Sequence, residues 1–133
     1  MKNPNNVLRG RKARKSGGQF ERRVRQDMEE KGWIITKWNN QVDFEKDKLI
    51  QAPHKFNFFN KSIQPGQGFP DFLCYIKKQD DTWLISGIEA KSAKYLDAIE
   101  KKKCKWLLEH HIFDQILVAY KDKKGHIAYY KYE

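Results

Sequence analysis

The chain has 133 residues, 39% of them hydrophobic and 14% aromatic, with 27 lysines and arginines against 17 acids and a formal net charge of +10. That length suits one folded domain with a modest core, and the charge favours a polyanion, most simply nucleic acid, as partner. No apolar run approaches the roughly 20 residues of a membrane span, no amphipathic helix joins a clean basic face to a bulky apolar one, and the basic N-terminus lacks a signal-peptide core, so an intracellular, cytoplasmic protein without a membrane partner is expected.

Residues 1–15 read as a flexible basic arm, with Arg9, Arg11, Lys12, Arg14 and Lys15 inside seven positions. Such an arm grips phosphates without reading sequence, or else serves only solubility. Residues 16–133 read as a single domain. Ser16-Gly17-Gly18 opens a helix that runs to about Lys31 and is closed by Gly32. Phe20, Val24 and Met28 form its apolar stripe, Glu21 sits on the edge of that stripe, and Arg25 lies just outside it. Glu21 can reach along the core boundary toward a sheet; the ordinary alternative is an acid favoured by the helix dipole.

Trp33 to Trp38 reads as the first strand. Residues 39–67 form an insertion longer than most loops, expected to hold a short hairpin or helix or to order only on substrate. Its Lys55 and Lys61, interleaved with Phe56, Phe58 and Phe59, suit charge and stacking on nucleic acid, although such aromatics more often pack an insertion onto its domain. Pro65-Gly66-Gln67-Gly68 reads as a flexible approach to Asp71 that lets backbone come close to a ligand.

Asp71–Lys77 and Thr82–Lys91 read as strands of an antiparallel hairpin. A three-residue loop, Gln79 to Asp81, sets Asp71 across from Glu89, with Cβ atoms roughly 5 Å apart. A two-residue loop would set it across from Ala90 and turn it to the opposite face, so the longer loop is preferred. Glu89 and Lys91, two apart, share a face. Each acid alone is more simply a solvated strand-end charge. Together, at the end of an otherwise apolar strand, they form the set that metal-dependent phosphodiester cleavage needs: two carboxylates for a hard cation and an ammonium beside the phosphate.

A second helix is expected from about Ala93 to His110, with Lys94, Lys101, Lys102, Lys103 and Lys105 making it basic. Tyr95, Leu96, Ile99, Trp106 and Leu107 lie on one arc with Lys103 near its middle. Either Lys103 points inward to an anion, or the helix rolls to bury Cys104, Leu107 and Leu108 and exposes Lys103. Phe113–Tyr120 and His126–Tyr132 read as two further strands. The helix between strands suits a crossover, and the fold class is α/β with a mixed central β-sheet flanked by helices. Cys74 and Cys104 make neither a disulfide framework nor a zinc site and read as buried thiols.

Three segments carry a family resemblance: Gly18-Gln19-Phe20-Glu21-Arg22, Gly68-Phe69-Pro70-Asp71 and Ile88-Glu89-Ala90-Lys91-Ser92. In that order they resemble the PD-(D/E)XK nuclease superfamily, with its restriction-endonuclease-like core, and within it the archaeal-type Holliday junction resolvases and the VRR-NUC nucleases. The resemblance implies a Mg²⁺-dependent DNA endonuclease, selective for branched DNA, in which Mn²⁺ can substitute and no small-molecule cofactor is used. Asp71, Glu89 and the Ala90 carbonyl would hold the metal, Lys91 would orient water and offset phosphate charge, and Glu21 would tune the site or help hold a second metal. The product would carry a 5′-phosphate. Resolution of a junction by two symmetric cuts would require a homodimer. Arg25, Lys94 and Lys103 would join the basic arm in contacting DNA. Small lysine-rich nucleases of this kind are frequent in phages and archaeal viruses. A glutamine that these families often carry on the helix after the lysine is replaced here in the region of Lys101, Lys102 or Lys103, and the insertion exceeds that of a minimal resolvase. Two other readings remain: a nuclease of the same chemistry acting on duplex, flap or single-stranded DNA, and a non-catalytic nucleic-acid-binding module.

Overall fold

Glycine punctuates the first turn of the architecture. In the computed structural model, which describes residues 18–64 and 66–133, the first helix (α1) occupies 18–30. It ends in a Schellman motif: Gly32 has φ +91°, Trp33 N–H donates to the Met28 carbonyl at 3.0 Å, and Gly32 N–H donates to the Glu29 carbonyl at 3.0 Å. The chain reverses there into β1 (Ile34–Lys37).

The insertion holds two hairpins, β2 (Asn40–Asp43) with β3 (Lys48–Gln51), and β4 (Lys55–Asn57) with β5 (Ser62–Gln64), each a separate two-stranded sheet. Next come β6 (Phe72–Lys77), β7 (Trp83–Ala90), a second helix α2 (Ala98–Glu109), β8 (Gln115–Lys121) and β9 (Ile127–Lys131). The central sheet has the order β1-β6-β7-β8-β9. Only the β7–β8 pair is parallel, with α2 as its crossover, so the sheet is mixed as the element order predicts.

Two apolar clusters lie on opposite faces of this sheet, because alternate strand residues point to alternate sides. On one face, Phe20, Val24 and Met28 of α1 pack with Ile35, Phe72, Cys74, Ile88 and Ala119. On the other, Cys104 and Leu107 of α2 pack with Phe69, Leu96, Phe113, Ile116 and Val118, joined by Val42 of the first inserted hairpin. Each cluster buries one of the two cysteines, and burial pushes both thiols up to about 12.

The β6–β7 register pairs Phe72 with Ile88 and Lys77 with Trp83. Lys78 N–H then donates to the Thr82 carbonyl at 2.7 Å, leaving the three-residue loop Gln79–Asp81, with Asp81 at φ +67°. Carried one step past Phe72, this register sets Asp71 opposite Glu89.

One boundary is corrected and one open alternative is decided. The second helix begins at Ala98, not Ala93, because Asp97 caps it: the Asp97 carboxylate accepts from Glu100 N–H at 2.8 Å and the Glu100 carboxylate accepts from Asp97 N–H at 3.0 Å. Tyr95 therefore lies in a loop, and it and Ile99 are exposed while Leu96 is buried. The helix rolls toward Cys104 and Leu107, leaving Lys103 half-buried at the margin. Gly66 and Gly68 permit close packing of backbone: a Cβ at Gly68 would meet the Trp38 carbonyl oxygen, and one at Gly66 would meet that of Pro53.

Candidate active site

Asp71 and Glu89 are the charged side chains buried in the sheet, 8% and 7% exposed, at the end of β6–β7 where β7 and β8 finish side by side. Their backbones interlock with their side chains. Asp71 N–H donates to Glu89 Oε1 at 3.2 Å, and Ala90 N–H donates to Asp71 Oδ2 at 2.9 Å. Gln67 Nε2 adds a donor to Asp71 Oδ1 at 3.4 Å. Burial first, then the charge of Asp71, holds the Glu89 carboxyl well above the ordinary glutamate range; the nearby Glu100 acts in the same direction.

Lys91 follows on the same face. Its N–H continues the parallel ladder, donating to the Ala119 carbonyl at 2.7 Å. Its Nζ forms an ion pair with Glu100 Oε2 at 2.7 Å. Burial alone would lower the lysine, but the hydrogen bond and charge of Glu100, aided by Glu89, outweigh it and raise the ammonium pKa. Glu100 thus works at both ends of one carboxylate: Oε1 completes the α2 cap and Oε2 holds Lys91.

Glu21, on α1, is half-buried, and burial followed by the charge of Asp71 raises its pKa, with Lys37 and Arg22 opposing. It lies within electrostatic reach of Asp71. Among the described residues, however, no three His, Cys, Asp or Glu side chains gather closely enough to ligate one ion by themselves.

A polar chain ties the insertion to this centre. Lys103 Nζ donates to Gln41 Oε1 at 3.0 Å, Gln41 Nε2 donates to the Gln67 carbonyl at 2.9 Å, and Gln67 reaches Asp71. Lys103 therefore meets a neutral amide instead of the carboxylates. Arg25 is committed to Glu29 at 3.3 Å and the Ile35 carbonyl at 3.4 Å, on β1. Lys94 is exposed and lies over the rings of Tyr95 and Tyr120. Arg9, Arg11, Lys12, Arg14 and Lys15 lie outside the described residues.

The structure thus brings Asp71, Glu89, Ala90 and Lys91 together, sets Glu21 at their edge, links Lys103 to Asp71 through Gln41 and Gln67, and gives Arg25 and Lys94 partners outside the set. Sequence reading missed Glu100, Gln67 and Gln41. For Glu100 a signal existed in the Asp97-x-x-Glu100 spacing of a capping box; for the glutamines there was none.

The donor set fits a hard divalent cation. Among the described residues neither buried carboxylate forms an ion pair, and two carboxylates plus a backbone carbonyl at a strand end are the oxygen-only ligands that Mg²⁺ accepts while keeping water in its other positions. Comparison with known protein families, with curated proteins and with solved structures returned no match for this chain.

Proposed function

We propose that the protein is a metal-dependent endonuclease of the PD-(D/E)XK type, acting on branched DNA. The observation that carries this reading is the opposition of two buried carboxylates, Asp71 and Glu89, with Lys91 beside them, in a chain of net charge +10. A module that merely binds nucleic acid gains nothing from two carboxylates aimed at phosphate. The mixed sheet with a helix on each face is compatible with the restriction-endonuclease-like core that the sequence motifs suggest.

Asp71, Glu89 and the Ala90 carbonyl would hold Mg²⁺, or Mn²⁺ in its place, with Glu21 at the margin. When bound, the metal supplies the Lewis acidity that activates water and offsets charge on the phosphate. Glu89 must give up its proton for this, so loading the site releases a proton at neutral pH. Lys91 stays an ammonium and meets the charge that develops on the phosphoryl oxygens as the 3′ oxygen leaves. Glu100 fixes the position from which Lys91 does so.

End-labelled four-way junction, flap, duplex and single-stranded DNA, incubated with Mg²⁺, Mn²⁺ or EDTA, test the proposal, with Glu89→Ala alongside. Paired symmetric cuts in the junction, leaving 5′-phosphates and lost in EDTA and in the variant while binding persists, are expected. They would entail a homodimer, since each strand needs its own site. Metal-dependent cutting of the other substrates alone would keep the chemistry and remove junction resolution. Full activity in Glu89→Ala would remove Glu89 from the site.

A further inference from the structure

The hairpin β4–β5 forms a sheet of its own, and its turn carries aromatic side chains that pack on nothing beneath them. Phe58 is 81% exposed, Phe59 is fully exposed, and Phe56 and Ile63 are exposed along the strands. Packing onto the domain, the usual role of such residues, is therefore not what these rings do. The turn is nonetheless built. Asn57 Oδ1 accepts from Phe59 N–H at 2.9 Å and from Asn60 N–H at 3.4 Å, and Asn60 Oδ1 accepts from Ser62 N–H at 3.1 Å. Phe56 and Phe58 meet edge to face at 4.9 Å between centroids. With Lys55, Asn57 and Phe59 they line an open recess of about 310 Å³.

Charge and position select the occupant. No acid occurs between Asp47 and Asp71, while Lys48, Lys55 and Lys61 fall in that stretch. A second copy would bring the same lysines against these and be repelled. The hairpin is rooted beside the catalytic carboxylates: Gly66 packs against the Pro53 carbonyl at its base, and the next residue, Gln67, donates to Asp71. Gln67 follows Phe59 by eight steps along the chain, so the tip stands within about 29 Å of that residue. At about 3.4 Å per nucleotide of a duplex strand, this is fewer than about nine nucleotides.

We propose that the β4–β5 hairpin stacks unpaired nucleobases on Phe58 and Phe59, with Lys55 and Lys61 holding the adjoining phosphates, and so favours branch points and strands at which bases open within about nine nucleotides of the cut. This rests on the nuclease reading for its biological use, but not for its measurement. Rings stack on every base type, so the preference is for unpaired structure and not for sequence.

The test is binding by the full chain in EDTA, followed by fluorescence anisotropy, to oligo-dT, to a blunt duplex and to an abasic single strand, for wild type, Phe58→Ala/Phe59→Ala and Lys55→Ala/Lys61→Ala. The phenylalanine variant should lose at least about fivefold in oligo-dT affinity for each ring removed and change little on the blunt duplex or the abasic strand. The lysine variant should weaken on all three. Because Phe58 and Phe59 are exposed, the variants should keep the wild-type Tm, and a drop in Tm would itself contradict the proposal. Equal affinities of wild type and the phenylalanine variant for oligo-dT, failure of wild type to bind it, or conversion of a wild-type dimer to monomer by the phenylalanine changes would each overturn the stacking role. Cleavage assays separate the two proposals. A chain that cuts DNA but binds without help from the phenylalanines leaves the nuclease and removes the hairpin. Ring-dependent binding without cleavage does the reverse.

Discussion

Ionisation of Glu89 works against the fold. Burial, then Asp71, favours its neutral form, so its folded pKa lies above the ordinary value of 4.5. Below that value the carboxyl is protonated in folded and unfolded chains alike, and its contribution to stability is fully present. As pH rises past 4.5 the unfolded chain releases the proton first, and the folded state loses ground by up to about 1.4 kcal/mol per pH unit until the folded pKa is passed. Glu21, raised for the same reasons, adds in the same direction. Asp27 and Asp97, held low by their partners, act below 3.8 and stay out of the way above pH 5. The Tm of the metal-free protein should therefore fall from pH 5.5 to pH 8, and Glu89→Gln should flatten the profile and raise Tm at pH 8. Mg²⁺ at pH 8 should stabilise the wild type and not the variant. A flat wild-type profile would show that Glu89 ionises freely. The opposition of Asp71 and Glu89 was legible in the sequence because apolar strand residues flank a polar turn whose length leaves few registers. The depth of their burial was not, since it depends on α1 and α2 closing over both faces of the sheet.

At the scale of the element, α2 shows why boundaries are harder to read than packing partners. The apolar residues Tyr95 and Leu96 extend the helical pattern toward Ala93, yet the capping box at Asp97 and Glu100 delays the helix to Ala98. A cap satisfies backbone donors that periodicity cannot see. The same cap delivers Glu100 to Lys91, and the two roles can be separated. Glutamine also completes a capping box but is no counter-ion for Lys91, so Glu100→Gln should keep the helix start at Ala98 while losing the ion pair, freeing the Lys91 charge and changing the rate of cleavage. Glu100→Ala should lose both and so lower Tm further than Glu100→Gln does. Equal cleavage rates for wild type and Glu100→Gln would leave Glu100 a cap and nothing more. The insertion was legible only as an insertion. Its two hairpins depend on turn residues such as Asp47 and Lys61, which adopt positive φ without being glycine and so give weak local signals.

For the molecule as a whole, charge placement matters more than its sum. Lys101, Lys102 and Lys105 are exposed on α2, and the insertion adds further lysines, with no acid from residue 48 to residue 70. Binding to duplex DNA should weaken steeply with salt, and Lys101→Ala/Lys102→Ala should reduce the slope of log affinity against log salt by about 0.9 for each phosphate no longer neutralised. Unchanged slopes would place the DNA elsewhere. The topology was readable because a helix between two strands calls for a parallel crossover, and β7–α2–β8 supplies it. The two-sided core has a different consequence. Cys74 sits in the layer under α1 and Cys104 in the layer under α2, both fully buried and both protonated far above neutral pH. Neither sulfur can be modified until its own layer opens. The chain therefore carries one chemical clock on each side of the sheet. The rates at which a thiol reagent reaches Cys104 in Cys74→Ala, and Cys74 in Cys104→Ala, would time the opening of each layer separately and show which one yields first.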